Sequence, residues 1–351
     1  MQQTTTTADR IGLTGYGRYL PDNRLTGEEV ADASGLPEEV VIEKMGLTEK
    51  RVCPPDADHC TDMGVKAAEK AIAAADIDAD SIDVVHYHGS EYKDYYVWSA
   101  AANITERIGA DNAYATETYA LCAGCPLVVK EVRAQLLAGD IDRALLVTAS
   151  REEDLIDYEN TDSSFMFNFG SGAAAYILEA DPDQDRTSAW VRAGHAVTDG
   201  SFSNDVVMHG GGSRNPPTHE TIDENLHTLD VPDPDGMKER LAPVSLPNYL
   251  DVADTALERS GYTRDDIDFV AVTHMKRSFH ELLLSELGVD PDADGYYLDE
   301  YGHVQSADQI LALDEGVESG RVEPGDLVLF LGAGTGYTWS AAVLEWEGKT
   351  W

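Results

Sequence analysis

The chain is organised around residues 117–140, which read ETYALCAGCPLVVKEVRAQLLAGD. The pattern predicts a strand end, a tight turn at the letters CAGC, and a helix that begins at Pro126 and ends at Gly139. The unpaired N–H groups and the positive dipole end of a helix N-terminus favour a cysteine thiolate over the thiol. Two small residues inside the turn would let a substrate carbonyl approach a backbone N–H donor. The stretch therefore predicts an acyl-accepting nucleophile at Cys122, with a buried structural cysteine as the alternative.

Helices and strands alternate along the 351 residues, and their order is similar in the two halves of the chain. Each half reads as a helix, a buried strand, a further helix that starts beside a candidate catalytic residue, and a closing pair of strands. This order predicts a duplicated α/β fold with halves 1–182 and 183–351, in which helices pack on mixed sheets.

The sequence predicts several helices outside the central stretch, among them the following three. They are expected at 61–76 with Thr61 as the cap, at 92–104, and at 241–261. Two prolines near the start of the last helix, at 243 and 247, would delay or kink that start.

The most prominent global feature is the charge: 65 acidic and 25 basic residues give a net charge of −40. The acidic residues are spread through many turns and helix ends, so the charge belongs to the whole surface. Such a dispersed excess is typical of halophilic proteins, because salt screens the self-repulsion. The lack of a basic patch argues against a nucleic-acid partner.

The segment MQQTTTTADR is not typical of a signal peptide, and no apolar run is long enough to span a bilayer. We therefore expect a soluble, cytoplasmic protein without a membrane partner. The four cysteines are too few for a disulfide scaffold. Cys122 and Cys125 have the spacing of half a zinc or redox motif, but no second pair completes it, so no metal is expected.

Eight motifs, taken in order, make the chain similar to thiolase-fold condensing enzymes, and most similar to the β-ketoacyl synthase III family. They are GYGRYLPDNRLT at 15–26, MGLTEKR at 45–51, LCAGCPL at 121–127, FNFGSGAAAYIL at 167–178, GGGSRNP at 210–216, the strand-end His274, YGHVQSAD at 301–308 and VEPGDLVLFLGAGTGYTWSAAVLEW at 322–346. The resemblance implies a thiolase-like fold with five layers, α-β-α-β-α. It also implies an acyltransferase that loads a cysteine and then performs a Claisen condensation with a malonyl- or acetyl-thioester.

The resemblance also identifies the catalytic positions. Cys122 matches the acyl-accepting cysteine, and His274 matches the histidine at the end of a second-half strand. His303 lies where synthase III enzymes have asparagine, which gives a Cys-His-His set similar to that of the elongating β-ketoacyl synthases. Two imidazole N–H donors could stabilise an enolate oxygen. The turn at Gly334 and Gly336 matches the loop whose backbone N–H, with that of Cys122, forms the oxyanion hole.

Glu91 departs from the synthase III pattern, which has a small neutral residue at this place. The letters GSE at 89–91 resemble hydroxymethylglutaryl-CoA synthase, in which this glutamate is a general acid/base. Glu91 would then deprotonate an acetyl-derived acceptor or activate water. Condensation of that kind, or release of the acyl group to water or an alcohol, is a second hypothesis, and a non-catalytic partner subunit of a condensing complex is a third.

The site that binds coenzyme A in the family is also altered in this sequence. Val40 replaces the tryptophan that stacks on adenine in the family. Separately, Ser171 replaces the acidic residue of the family's FGDGA motif, which marks an altered turn. The candidates for substrate binding are Arg51, Arg151, Arg277 and Tyr96. The resemblance implies a coenzyme A or carrier thioester as the substrate, no metal or redox cofactor, and a homodimer with Tyr96 near its interface.

Overall fold

The computed structural model describes residues 8–348, so the first residues of MQQTTTTADR and residues 349–351 lie outside the described part of the chain. The strands in this part are β1 (Ile11–Tyr19), β2 (Arg24–Thr26), β3 (Glu49–Arg51), β4 (Val84–His88), β5 (Tyr114–Thr118), β6 (Arg143–Ser150), β7 (Gly172–Ala180), β8 (Ala189–Thr198), β9 (Val207–Met208), β10 (Leu229–Asp230), β11 (Phe269–Val272), β12 (Leu327–Gly334) and β13 (Thr338–Trp346).

The α-helices in the same part are α1 (Gly27–Ser34), α2 (Cys60–Ala75), α3 (Ala100–Ile108), α4 (Gly124–Ala138), α5 (His219–Asp223), α6 (Pro234–Ser260), α7 (Arg277–Leu287) and α8 (Asp308–Glu318). None of the helices within residues 8–348 is both long and apolar enough to cross a membrane.

Nine strands form one sheet in the order β11-β12-β13-β8-β1-β7-β6-β4-β5. From its middle outward, β1-β7-β6-β4 repeats β8-β13-β12-β11, with two antiparallel pairings followed by one parallel pairing in each set. The two sets join where Gly12 and Leu13 of β1 pair with β8. This repeat supports a duplication, and the halves 1–182 and 183–351 stay a prediction that it agrees with.

The two sets of strands form two β layers of this sheet, with α4 and α8 between them and the other large helices outside, which gives five layers, α-β-α-β-α. Three apolar cores hold these layers together. The central core contains α4 and α8 together with strands of both halves. The second core lies under α2 and α3 on the outer side of the first half, and the third lies under α6 and α7 on the outer side of the second half. The fold is therefore a thiolase-like α/β fold, as the sequence predicts.

The continuous apolar run of β6 explains its central position. Ala144 and Leu146 face the central core, whereas Leu145 and Val147 face the outer one. Alternate residues of a strand point to opposite faces, so a strand covered on both sides needs an unbroken apolar sequence.

Three local predictions were wrong, and two of them concern α3 and α2. The helix predicted at 92–104 begins only at Ala100, because Ser99 is its N-cap and accepts the N–H of Ala102. Thr61 lies inside α2 rather than capping it, and its hydroxyl donates to Asp94 at 2.6 Å.

The prolines at 243 and 247 do not delay α6. Both lie inside the helix, which begins at Pro234 after Asp233. The Asp233 side chain accepts the N–H of Gly236 at 3.0 Å, and a proline at the first helical position already has a helical φ. The N-cap Asp233 and the proline at 234 therefore start α6 earlier than the apolar pattern predicts.

Candidate active site

Cys122 lies in a short 3₁₀ turn, Leu121–Ala123, which runs directly into α4. Its side chain is buried, as is the following helix start. Leu121 has a φ of +50°, a left-handed conformation that costs energy in a non-glycine residue. Its N–H donates to the carbonyl of Gly89 at 2.9 Å, so the end of β4 holds this turn in place. The sulfur thus lies at a helix N-terminus, which favours the thiolate.

His303 contacts the Cys122 sulfur directly. The distance from Nε2 to Sγ is 2.9 Å, and the other ring nitrogen, Nδ1, lies 2.6 Å from Oδ2 of Asp308. The backbone N–H of His303 donates to the carbonyl of Asn168 at 2.8 Å, which fixes this segment against the first half. The three side chains form a Cys-His-Asp arrangement, in which the carboxylate orients the imidazole and the imidazole faces the nucleophile.

Asp308 is fully buried at the start of α8 and connects the two histidine segments. Its Oδ2 accepts the backbone N–H of His274 at 2.6 Å as well as the His303 ring. Its Oδ1 accepts the N–H of Val304 at 2.8 Å. Sequence reasoning missed Asp308; the only signal was an acidic residue five positions after His303, at a helix start.

The charges of this arrangement are coupled. Burial alone would lower the pKa of His303, but Cys122 and Asp308 raise it well above its ordinary value. Burial raises the pKa of Cys122, and the contact with His303 opposes that rise. An imidazolium held by Asp308 is therefore stabilised next to the sulfur, where it favours a thiolate in an otherwise apolar site.

His274 follows β11 and is also buried, but it plays a different part. Both of its ring nitrogens lack a hydrogen-bond partner within residues 8–348, and its ring packs on Tyr297 with centroids 4.6 Å apart. Burial, followed by the charge of His303, lowers the pKa of His274 well below its ordinary value. A neutral imidazole with an unused N–H can donate to a developing enolate oxygen.

The glycine turn after β12 approaches the nucleophile closely. A Cβ at Gly334 would lie 2.5 Å from the carbonyl oxygen of Ala120 and 3.0 Å from the backbone nitrogen of Cys122. Gly336 has a φ of +133°, which L-residues rarely adopt. Gly334 therefore brings the end of β12 beside Cys122, where the predicted oxyanion hole would form, whereas a Cβ at Gly336 would have no heavy atom within 4 Å.

Glu91 lies beyond the end of β4 with an exposed side chain. The buried carboxyl at this edge of the sheet belongs instead to Glu152, just after β6, which is 8% exposed. Burial raises the pKa of Glu152, whereas Ser90, Gln305 and His303 oppose the rise. Sequence reasoning missed Glu152, because the stretch from 143 to 152 reads as one strand and its last residues were not examined as a separate turn.

The predicted substrate-binding residues are distributed differently from expectation. The Arg151 guanidinium is buried; it pairs with Asp154 at 2.6 Å and donates to three backbone carbonyls. Arg51 donates to the carbonyl of Pro21 and packs near Tyr301. These contacts favour structural roles for both arginines.

Arg277 remains partly open, with a side chain that is 39% exposed. It pairs with Asp299 at 2.8 Å and lies 4.1 Å from the ring centroid of Tyr297, the same ring that packs on His274. The Tyr297 ring therefore contacts both the Arg277 guanidinium and the His274 imidazole. Tyr96 is 57% exposed, on the irregular segment before α3.

The neighbours of Cys125 and the other cysteines give no sign of a metal centre. All four cysteines are free thiols, and Cys125 is fully buried in the first turn of α4. Within residues 8–348, no group of three or more His, Cys, Asp or Glu side chains is arranged to hold a metal ion.

Comparison with known proteins gives a consistent result. Residues 117–199 match the model of the family 3-oxoacyl-[acyl-carrier-protein] synthase III, and residues 257–346 match the model of its C-terminal part. The beta-ketoacyl-[acyl-carrier-protein] synthase III of Desulfitobacterium hafniense is 25% identical over 340 residues, which cover 97% of this chain and 98% of that protein.

Two solved structures have the same fold. The 3-oxoacyl-[acyl-carrier-protein] synthase III of Aquifex aeolicus superposes with a TM-score of 0.82 at 21% identity, covering 96% of this chain and all of that one. Xanthomonas campestris OleA, solved with lauric acid and lauroyl-CoA, superposes with a TM-score of 0.78 at 19% identity, covering 96% of this chain and 99% of that one. Together with the motifs and the site geometry, these matches show that the chain is a thiolase-superfamily condensing enzyme similar to β-ketoacyl synthase III, and that it is of the acyltransferase class.

Proposed function

We propose that the enzyme loads an acyl group from a thioester onto Cys122 and then condenses it with a malonyl- or acetyl-derived carbon nucleophile. The observation that carries this proposal is the contact of Cys122 with His303, which is itself held by the buried Asp308. Within residues 8–348 both ring nitrogens of His274 lack a hydrogen-bond partner, so this ring is available to stabilise the enolate in the second step.

In the first step, the Cys122 thiolate attacks the carbonyl carbon of the donor thioester. The resulting oxyanion would be held by the backbone N–H of Cys122 and by the turn at Gly334 and Gly336. As the donor's carbon–sulfur bond breaks, His303 gives its proton to the departing thiolate. The products are an acyl-enzyme, a free thiol and a neutral His303.

In the second step, an enolate derived from the acceptor attacks the acyl-enzyme. His274 donates a hydrogen bond to the enolate oxygen, which its lowered pKa permits because the ring is neutral. A carbon–carbon bond forms, the acyl–sulfur bond breaks, and Cys122 leaves as a thiolate. The product is a 3-oxoacyl thioester.

The thioester carrier is proposed to be coenzyme A or a carrier protein, with the partly exposed Arg277, which packs on Tyr297, as a candidate cation to bind it. No metal or redox cofactor is needed for either step. A hydroxymethylglutaryl-CoA synthase-like or hydrolytic role that depends on Glu91 is not favoured, because that side chain is exposed. The intact Cys122 and His303 contact likewise disfavours a non-catalytic partner subunit.

A homodimer in the cytoplasm is proposed as the working form. The segment before α3 exposes three apolar side chains, Tyr95 (68%), Tyr96 (57%) and Val97 (107%), which a partner surface would cover. Light scattering in concentrated KCl measures the assembly, and a monomer at all concentrations would contradict it.

Intact-mass measurement tests the loading step. The wild type is incubated with acetyl-CoA, and we expect one acetyl adduct. Cys122→Ala should give none, whereas Cys125→Ala should load like the wild type, because Cys125 is a buried thiol three residues away and the two ring nitrogens of His303 bond to Asp308 and Cys122. An adduct that persists in Cys122→Ala, or one that is lost in Cys125→Ala alone, would refute the assignment.

A further inference from the structure

His274 must keep a ring nitrogen free if it is to donate to an enolate, so other contacts have to fix its position. Within residues 8–348 neither of its ring nitrogens has a hydrogen-bond partner. His303 is different, because its Nδ1 lies 2.6 Å from Asp308 and its Nε2 lies 2.9 Å from Cys122. A side chain without such bonds can change rotamer unless its neighbours pack against it. Packing and the backbone must therefore hold the His274 ring.

Tyr297 packs directly on this ring. The ring centroids of Tyr297 and His274 lie 4.6 Å apart, and the two planes are tilted by 52°. Aromatic rings at this distance attract each other beyond the burial of their surface, and they prefer particular orientations. The Tyr297 ring therefore restricts rotation of the imidazole without using either of its nitrogens.

The hydroxyl of Tyr297 holds the backbone next to His274. It donates to the carbonyl oxygen of Met275 at 2.8 Å, and the carbonyl oxygen of Met45 lies 3.3 Å away. On the other side, the backbone N–H of His274 donates to Asp308 at 2.6 Å. The backbone is thus fixed both before and after the His274 side chain.

The fold brings Tyr297 to this position along β11. Tyr297 lies in the irregular segment between α7 and α8, in which Gly295 forms an isolated parallel bridge with Val270 of β11. The N–H of Val270 also donates to the carbonyl of Asp294 at 2.8 Å. Because His274 follows the end of the same strand, this pairing places Tyr297 beside it.

Tyr297 is itself held by further neighbours. The guanidinium of Arg277 lies 4.1 Å from its ring centroid and pairs with Asp299 at 2.8 Å. The ring of His280 packs on it as well, with centroids 5.0 Å apart. A cation over an aromatic ring is attracted by the quadrupole of the ring. Tyr297 is therefore a fixed support for the His274 ring.

We propose that Tyr297 is a positioning residue for His274, whose ring and hydroxyl hold the imidazole so that an N–H is aimed at the enolate oxygen of the acceptor. The inference rests on the proposed function and concerns its second step alone. Tyr297 exchanges no proton and forms no bond with the substrate in this role. Acyl loading depends on Cys122 and His303, so loss of Tyr297 should slow condensation and leave loading intact.

The test measures the two steps separately in the wild type, Tyr297→Leu and Tyr297→Phe. Loading is the rate at which acetyl-CoA adds one acetyl group to Cys122, followed by intact mass. Condensation is the rate at which a saturating second thioester, malonyl-CoA or acetyl-CoA, converts that adduct into a 3-oxoacyl product. Saturation removes any effect that the substitution has on carrier binding through Arg277.

The two substitutions separate the ring from the hydroxyl. Tyr297→Leu should load at the wild-type rate and condense about 10–100-fold more slowly, because a misplacement of about 1 Å has an effect of this order. Tyr297→Phe keeps the ring and loses only the bond to Met275, so its condensation rate should fall by about tenfold at most.

Tyr296 provides the matched control. It is the adjacent tyrosine, its ring lies 5.4 Å from the Arg321 guanidinium, and it packs against the central core. Tyr296→Leu removes an aromatic ring and a hydroxyl from the same segment. It should therefore leave both rates close to those of the wild type.

A double-mutant cycle with His274→Ala adds a readout that a structural role would not give. If Tyr297 acts through the histidine, adding Tyr297→Leu to His274→Ala should change the residual condensation rate little, because no imidazole is left to hold. A purely structural role would instead lower the rate by the same factor in both backgrounds.

Three results would overturn the proposal. They are wild-type condensation in Tyr297→Leu, a loss of loading as large as the loss of condensation, and an equal effect of Tyr297→Leu with and without His274. If thermal unfolding shows that Tyr297→Leu does not fold, Tyr297→Met fills the space without a ring and is judged by the same results. A wild type that loads no acetyl group, or loads one and forms no 3-oxoacyl product, would overturn the proposed function and the inference with it.

Discussion

At the residue scale, Asp308 determines the state of the nucleophile, because it holds the His303 ring and two backbone N–H groups at once. Below its pKa, His303 carries the positive charge that stabilises the Cys122 thiolate. Asp308 raises that pKa, so Asp308→Asn should lower it, and a neutral imidazole would then face the sulfur at a lower pH.

We therefore expect Asp308→Asn to slow acyl loading by about 100-fold or more. Alkylation of Cys122 by iodoacetamide should slow at neutral pH. The increase of the alkylation rate with pH should shift to higher pH. The surface change Asp292→Asn is the control and should leave both measurements unchanged. Unaltered alkylation in Asp308→Asn would mean that the carboxylate does not control the thiolate.

At the element scale, the approach of β12 to the turn before α4 builds the oxyanion side of the site. Gly334→Ala would push a Cβ to within 2.5 Å of the Ala120 carbonyl oxygen, so the two elements must separate. We expect a loss of about 1–3 kcal/mol in the free energy of unfolding and a larger loss in the loading rate. Gly200→Ala is the control, because no heavy atom lies within 4 Å of its added Cβ.

Thermal unfolding and intact-mass kinetics measure these two effects. If Gly334→Ala loaded acetyl as fast as the wild type, the close packing of β12 on this turn would not matter for the reaction.

The same scale separates what sequence reasoning could predict from what it could not. The continuous apolar run of β6 and the cysteine before α4 depend on local pattern, and both predictions were confirmed in the fold. The predicted start of α6, at 241, was wrong, because the N-cap at Asp233 outweighed the expected effect of the internal prolines. Asp308 escaped notice because its importance depends on its contact with His303, which in turn contacts Cys122, and only the folded chain brings these residues together.

At the scale of the whole molecule, the net charge of −40 predicts a protein that salt stabilises. Raising the KCl concentration from about 0.1 M to about 1 M shortens the Debye length from about 10 Å to about 3 Å, so repulsion between surface carboxylates weakens. The midpoint of thermal unfolding should therefore rise over this range. Sucrose at the same osmolality is the control for solvent exclusion, and an equal rise in sucrose and KCl would contradict the electrostatic explanation.

The central claim is that an acyl group on Cys122 becomes part of a new carbon–carbon bond. The most direct measurement loads the enzyme with acetyl-CoA labelled with carbon-13 at the carbonyl, removes excess label, and adds an unlabelled second thioester, first acetyl-CoA and then malonyl-CoA. We predict that the adduct disappears from Cys122 and that the label appears at the third carbon of a 3-oxoacyl thioester. Label recovered only as free acetate, or an adduct that neither thioester discharges, would contradict the account.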